Sequence, residues 1–217
     1  MKITKEFAEL IGIMFGDGCL SSKQNKYVVY ISGHKIDDKE YHEKITKNLF
    51  LSVFDKKIKI DERRKENTLF IRFSDKRIFN ILKSEGMPVG KKYGNLMIPP
   101  AIKNDKDLIF RFICGLFDTD GCMFLSKQHK KERYYPRIEI ASKSESFLRE
   151  VLDILKSNGF YGSISKRGIY RRLEIPGFKN LERWLKLIGF HNPKHMRKIE
   201  ITLENKTPRT RLELVTL

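Results

Sequence analysis

Residues 10–18 read LIGIMFGDG and residues 113–121 read ICGLFDTDG, and a cysteine follows each. This internal repeat constrains the fold more than any other feature, because one supersecondary unit must be built twice and the copies must pack. Asp17 and Asp120 are 120 − 17 = 103 residues apart, close to half of the 217-residue chain. The order persists beyond the motif. KYVVYISGHK (26–35) answers YPRIEIASKS (135–144), and ILKSEGMPVGKK (81–92) answers WLKLIGFHNPK (184–194). KIKIDE (57–62) with TLFIRF (68–73) answers GSISKR (162–167) with IYRRLEI (169–175). Lys92 follows Asp17 by 92 − 17 = 75 residues, and Lys194 follows Asp120 by 194 − 120 = 74.

Each half reads as helix, hairpin, helix, hairpin, helix, an α+β pattern. The first helix, about 5–16, starts after Thr4 as a cap and is apolar on nearly every face, as is its counterpart at about 106–119. Helices that are apolar all round are buried. Strand signals such as Tyr27–Ile31 pair across short turns, and Asp37-x-x-Glu40 and Ser142-x-x-Glu145 read as capping boxes. Pro99-Pro100 breaks the chain between the copies. The expected division is a first half over 1–104, a second over 105–200, and an unassigned tail over 201–217.

Gly12 and Gly16 are four apart, as are Gly115 and Thr119. Small residues at that spacing share a helix face and let two backbones approach closely. Packing the repeated helices through those faces brings Asp17 and Asp120 together at their carboxyl ends. Two carboxylates about 6 Å apart repel by roughly 3 kcal/mol at an effective dielectric near 20, and the helix ends add further negative potential. Such a pair makes physical sense where a hard cation sits, which points to Mg²⁺ and phosphodiester chemistry.

Charge points the same way. Lys and Arg number 44 against 27 Asp and Glu, a net +17. Residues 1–105 carry 21 − 14 = +7 and the remainder 23 − 13 = +10, so no single tail holds the excess. A polyanion spanning the molecule fits this best, and nucleic acid is the usual one. At 40% apolar the chain can build a core, which excludes disorder. No apolar run is long enough to span a bilayer, and acids spoil any signal-peptide reading, so an intracellular protein is expected. Cys19, Cys114 and Cys122 form no C-x-x-C pair, so neither zinc nor redox chemistry is indicated. Cys19 and Cys122 are expected as small packing residues, Trp184 as core, and His129, His191 and His195 show no ligand spacing.

LIGIMFGDG and ICGLFDTDG resemble the paired signatures of the LAGLIDADG homing endonuclease family in its single-chain form, over residues 4–200. The resemblance implies two αββαββα halves with the signature helices at the central interface. Two curved antiparallel sheets then form a saddle over the DNA major groove, and both strands are cut across the minor groove, leaving short 3′ overhangs. It implies a monomer acting on a long, non-palindromic double-stranded site with Mg²⁺. Mn²⁺ is expected to substitute and Ca²⁺ to bind without supporting cleavage. Carried over, Asp17 and Asp120 bind metal, with Gly16 and Thr119 beside them. Asp118 matches the first acid of the motif, which Phe15 replaces in the first copy. Lys143, with Ser142 as its neighbour, and His34, with Gly33, fall where the family borders the metal site. Lys92 and Lys194 match a further family lysine.

The groove-facing candidates in the first half are Ser21, Lys23, Lys57, Lys59, Asp61, Arg63, Arg64 and Arg72. In the second they are Ser126, Gln128, Arg133, Arg137, Lys166, Arg167, Arg171 and Arg172. Arg and Gln can read base edges, whereas Lys mainly contacts phosphate. Two rivals stand beside the nuclease: a maturase binding intron RNA on the same scaffold, and a DNA-binding regulator that does not cut. No splicing-domain signature flanks the chain, which favours a free-standing or intron-encoded protein.

Overall fold

The computed structural model describes residues 3–24, 26–92, 94, 96–127 and 134–204, with side chains to residue 200. In the first half α1 (Lys5–Gly16) leads into β1 (Gly18–Lys23) and β2 (Lys26–His34). α2 (Lys39–Tyr41), a π-helical turn (His42–Thr46) and α3 (Lys47–Phe54) follow, then β3 (Asp61–Glu62), β4 (Thr68–Ser74) and α4 (Lys76–Ser84). α5 (Pro100–Lys103) links the halves. The second half runs α6 (Lys106–Asp120), β5 (Gly121–Ser126), β6 (Tyr135–Ser142), α7 (Glu145–Ser157), β7 (Ser163–Arg167), β8 (Tyr170–Pro176) and α8 (Phe178–Leu187), with α9 (Pro193–Glu204) at its end. This is an α+β fold of two αββαββα units, each with an antiparallel sheet, in orders β1-β2-β4-β3 and β5-β6-β8-β7. No helix among the described residues is long and apolar enough to cross a membrane.

α1 and α6 pack through the small residues. A Cβ built on Gly12 would overlap the Phe112 carbonyl oxygen, and one on Gly115 would overlap that of Glu9. Backbones this close admit no side chain, so glycine at these two positions is a packing requirement. Around the pair, Phe7, Leu10, Ile11, Met14, Phe112, Ile113 and Phe117 are buried in one continuous core that both halves share.

Thr4 caps α1 as expected, accepting from Phe7 N at 3.2 Å. Neither capping box forms. α7 is capped by Ser144, which accepts from Phe147 N, while Ser142 Oγ accepts from Ser144 N at 3.2 Å. Asp37 turns to His34, and Asp38, which precedes α2, makes no cap bond. The reason is competition: a half-buried lysine, Lys194, and a strand end offer Asp38 stronger partners than the first turn of a three-residue helix.

Candidate functional site at the helix ends

Asp17 caps the carboxyl end of α1, its N–H donating to Ile13 O at 3.1 Å, and Asp120 is the last residue of α6. A Cβ on Gly16 would overlap Thr119 Oγ1 and lie 3.5 Å from Asp120 N, so the two helix ends touch. The acids feel this. Burial, then the neighbouring Asp120 and then Asp38, push the Asp17 carboxyl up to about 7, against the opposing pull of Lys194 and Lys92. Burial pushes Asp120 up to about 6, with Lys92 and Lys194 again opposing.

Both lysines expected from the repeat lie at this centre, held differently. Lys92 Nζ donates to the carbonyls of Phe15, at 3.0 Å, and Gly16. A cation thus already rests on the carbonyls that end α1, and burial lowers its pKa. Lys194 Nζ pairs instead with Asp38 Oδ1 at 2.8 Å. Asp38 also accepts from His34 N at 2.8 Å and from Asn192 Nδ2 at 3.0 Å. Asp38 and Asn192 were not legible as site residues. Their partners lie about 150 residues away along the chain, and no local pattern marks such contacts.

Lys143 shares a cavity of about 300 Å³ with Asp120, Lys92, Lys91, Ser142 and Tyr170, its ammonium 5.3 Å from the centre of the Tyr170 ring. His34 is not drawn to the acids: its Nδ1 faces Asp37 Oδ2 at 3.1 Å, a short-range partner that the exposed strand end provides. Thr119 Oγ1 donates to Gly115 O and Leu116 O, so the hydroxyl is spent within the helix. Asp118 is fully buried and accepts from His191 N at 2.9 Å, tying the loop after α8 to α6. The half-buried Cys19 thiol bonds the Leu20 carbonyl, whereas Cys122, expected as a packing residue, is exposed, its thiol bonding Met123 O with Lys198 Nζ 3.7 Å away.

The oxygen donors at the centre suit Mg²⁺ or Mn²⁺. Two half-buried carboxylates whose pKa values have risen through desolvation and, at Asp17, the neighbouring Asp120 gain from any cation between them. A folded-state pKa above the unfolded value means that the folded protein holds protons more tightly, so stability drains away as pH rises through the window between the two values. For Asp17 that window runs from its ordinary 3.8 to about 7. In chelator at pH 8, Asp17→Asn is therefore expected to be more stable than the parent chain, by on the order of 3 kcal/mol. The gain should vanish near pH 4, where both carboxyls are protonated. Chemical denaturation at the two pH values measures this, and a variant less stable at pH 8 would contradict the burial of an ionised pair.

Strand register sorts the groove-facing candidates. In the first sheet Leu20, Val29, Ile31, Leu69 and Ile71 point into the core, so Ser21, Lys23 and Arg72 lie on the opposite face. Lys57, Lys59 and Asp61 alternate with Ile58 and Ile60 and are exposed, as are Arg63 and Arg64, with Arg63 paired to Glu66. In the second sheet Arg137 and Arg172 face outward but are clamped by Glu174 and Glu139 at 3.0 and 2.9 Å. Ser126 accepts from Arg137 Nε on the same face, and Arg167 is exposed at the hairpin end. Lys166 and Arg171 pair across strands on the helix-covered face, where Arg171 meets Glu145 of α7 at 2.6 Å. They are thus misplaced by one step of the period-two alternation, which exchanges faces. Gln128 and Arg133 lie outside the described residues, as does the tail from 205.

A fold built from two such units, with paired acids where their glycine-lined helices end, defines the class: the chain carries two LAGLIDADG-like domains. Residues 107–189 match the LAGLIDADG-like domain, and residues 7–87 match the WhiA LAGLIDADG-like domain. Among solved structures, the homing endonuclease I-DmoI in complex with DNA and Mn aligns at a TM-score of 0.59 with 21% identity, covering 85% of this chain and 96% of that one. Full-length DUF199/WhiA from Thermatoga maritima aligns at 0.62 with 19% identity, covering 100% of this chain and 67% of that one. Curated relatives include the replication factor C small subunit and the probable translation initiation factor IF-2 of Methanocaldococcus jannaschii, 24% and 28% identical over 98% and 82% of this chain. The chain spans only 11% and 14% of those two proteins.

Proposed function

We propose that this protein is a site-specific, divalent-metal-dependent double-strand DNA endonuclease. The observation that supports it best is the half-buried Asp17–Asp120 pair at touching helix ends, flanked by Lys92 and Lys194. Asp17 and Asp120 would hold the cation, with the Thr119 carbonyl as a further oxygen donor, while the Gly16 carbonyl, also expected as a donor, is taken by the Lys92 ammonium. A bound divalent ion supplies Lewis acidity toward phosphate and a water activated at neutral pH. Lys92 and Lys194 hold positive charge where a phosphodiester gains negative charge in its transition state. Asp38 and Asn192 fix Lys194, and Lys143 lies at the cavity rim beside Asp120. The exposed cations of the first sheet and the clamped arginines of the second would carry the duplex.

A regulator that binds DNA without cutting is the second reading, and the comparisons with known proteins lean toward it. The first half matches a WhiA domain, and the WhiA structure covers the whole chain, with no nuclease in either name. Selection of cleaved sites from a randomised duplex library in Mg²⁺, repeated in Ca²⁺, separates the two. Cleaved products in Mg²⁺ alone support the nuclease, and enrichment by binding without cleavage in either ion supports the regulator.

Both readings require a duplex on the sheets, and register makes a finer expectation. Log affinity should fall with log salt by about 0.9 per phosphate contacted. Lys59→Ala and Arg72→Ala should each reduce that slope by about 1 if they meet phosphate. Arg171→Ala, on the helix side, should leave it unchanged. Equal effects from all three in duplex titrations would argue against the saddle orientation.

A further inference from the structure

Away from the paired acids, the interface holds a second cluster of ligand-type side chains. Glu9 of α1 and Cys114 of α6 are buried, His191 follows α8, and one ligand atom from each lies within 4.8 Å of the others. Asp118 borders them, its Oδ2 3.6 Å from Cys114 Sγ. Glu9 precedes Asp17 by eight residues, about 12 Å along a helix, so this is a separate place. We propose that Glu9, Cys114, Asp118 and His191 form a binding site for a borderline divalent cation of the Zn²⁺ class, which clamps the two halves together.

The geometry is close to what such an ion needs. Zn²⁺ takes sulfur at about 2.3 Å and carboxylate oxygen at about 2.0 Å, which puts the S···O edge of a tetrahedron near 3.5 Å. The Cys114–Asp118 pair already stands at 3.6 Å. Glu9 Oε1 and His191 Nδ1 are 2.6 Å apart, sharing a proton, and need to open to about 3.3 Å once that proton leaves. The oxygen that faces Cys114, Asp118 Oδ2, also accepts from His191 N at 2.9 Å, while Oδ1, buried and without a hydrogen-bond partner, lies on the side of His195 Nε2, 3.9 Å away. A thiolate in the set disfavours Mg²⁺ and favours a softer ion.

Arg111 is the cation that faces the cluster, 4.0 Å from Glu9 and donating to His191 Nε2 at 2.8 Å. With that bond, His191 is neutral and carries its proton on Nδ1. On metal binding the Nδ1 lone pair goes to the ion, the ring proton moves to Nε2 through solvent, and the Cys114 thiol gives its proton to water. Arg111 is then released into a cleft of about 360 Å³ that also holds Asp107, whose carboxylate is paired with Lys5 at 2.7 Å. Because Glu9 belongs to the first half and its three partners to the second, the ion would staple the halves. It would also fix the loop that carries Asn192 and Lys194.

The test is a Co²⁺ titration of the full chain after chelator treatment, and it does not depend on cleavage. One thiolate-to-Co²⁺ charge-transfer band is expected, saturating at one equivalent and displaced by Zn²⁺. It should persist in Cys19→Ser, in Cys122→Ser and in the Asp17→Asn/Asp120→Asn double variant, and disappear in Cys114→Ser. Glu9→Gln and His191→Ala should weaken Co²⁺ binding at least about tenfold. Circular dichroism establishes that each variant is folded. Absence of the band in the parent chain, or a band that follows Cys19 or Cys122, overturns the proposal.

Discussion

Asp120→Asn is expected to lower double-strand cleavage by at least about 10³-fold, equivalent to about 4 kcal/mol of transition-state stabilisation, while duplex affinity stays within a few-fold of the parent. The same is expected of Asp17→Asn. Each amide keeps the shape of the carboxyl and its place at the helix end, but removes the charge that makes the centre attractive to a divalent ion. The residues proposed to face DNA lie away from the two acids, on the sheets and their flanks, so binding should survive. Gel assays with a supercoiled target give a sharper result: loss of one acid should leave nicked circles if each serves one strand, and uncut circles if both serve a shared ion. Unchanged linearisation by both variants would remove the acids from the chemistry. A parent chain that binds a selected duplex and never cuts it would place the protein with the regulators.

Gly12→Val is expected to cost about 4 kcal/mol of stability or to prevent folding. An added Cβ at Gly12 meets the Phe112 carbonyl oxygen and lies 2.8 Å from Leu116 N. These are backbone atoms of a buried helix and cannot swing aside as a flexible side chain does, so the helices must separate along their whole contact. Moving α1 from α6 opens the core that both halves share and pulls Asp17 from Asp120, so stability and the site fail together. Urea denaturation measures the loss, and a variant within about 1 kcal/mol of the parent would show that the interface is looser than its geometry implies.

The repeat, the buried helices, the small-residue faces and the two acids were all legible in the chain. Each is written in local periodicity or in spacing that recurs, and two copies in register make a weak motif strong. From these followed the two αββαββα units and the touching helix ends. Lys92 and Lys194 were legible for the same reason, since each keeps its distance from its acid. Residues without a counterpart were not. Asp38 is an unmarked position inside the Asp37-x-x-Glu40 pattern, and its partners Lys194 and Asn192 lie in the other half. His191 and Cys114 showed no ligand spacing because the positions that surround them come from three separate elements.

What the sequence alone determined is the architecture and the place where charge accumulates, because hydrophobic period and repetition are properties of neighbouring residues. Tertiary structure alone decided how each charge is used. Whether Arg171 faces a groove or a helix depends on one residue of strand register, and whether Lys194 is free or paired depends on a carboxylate 156 residues away. Long-range contacts and register follow from how the two halves close on each other. A side chain's electrostatic role is set by what closure brings within a few ångströms, and no local pattern of residues records that.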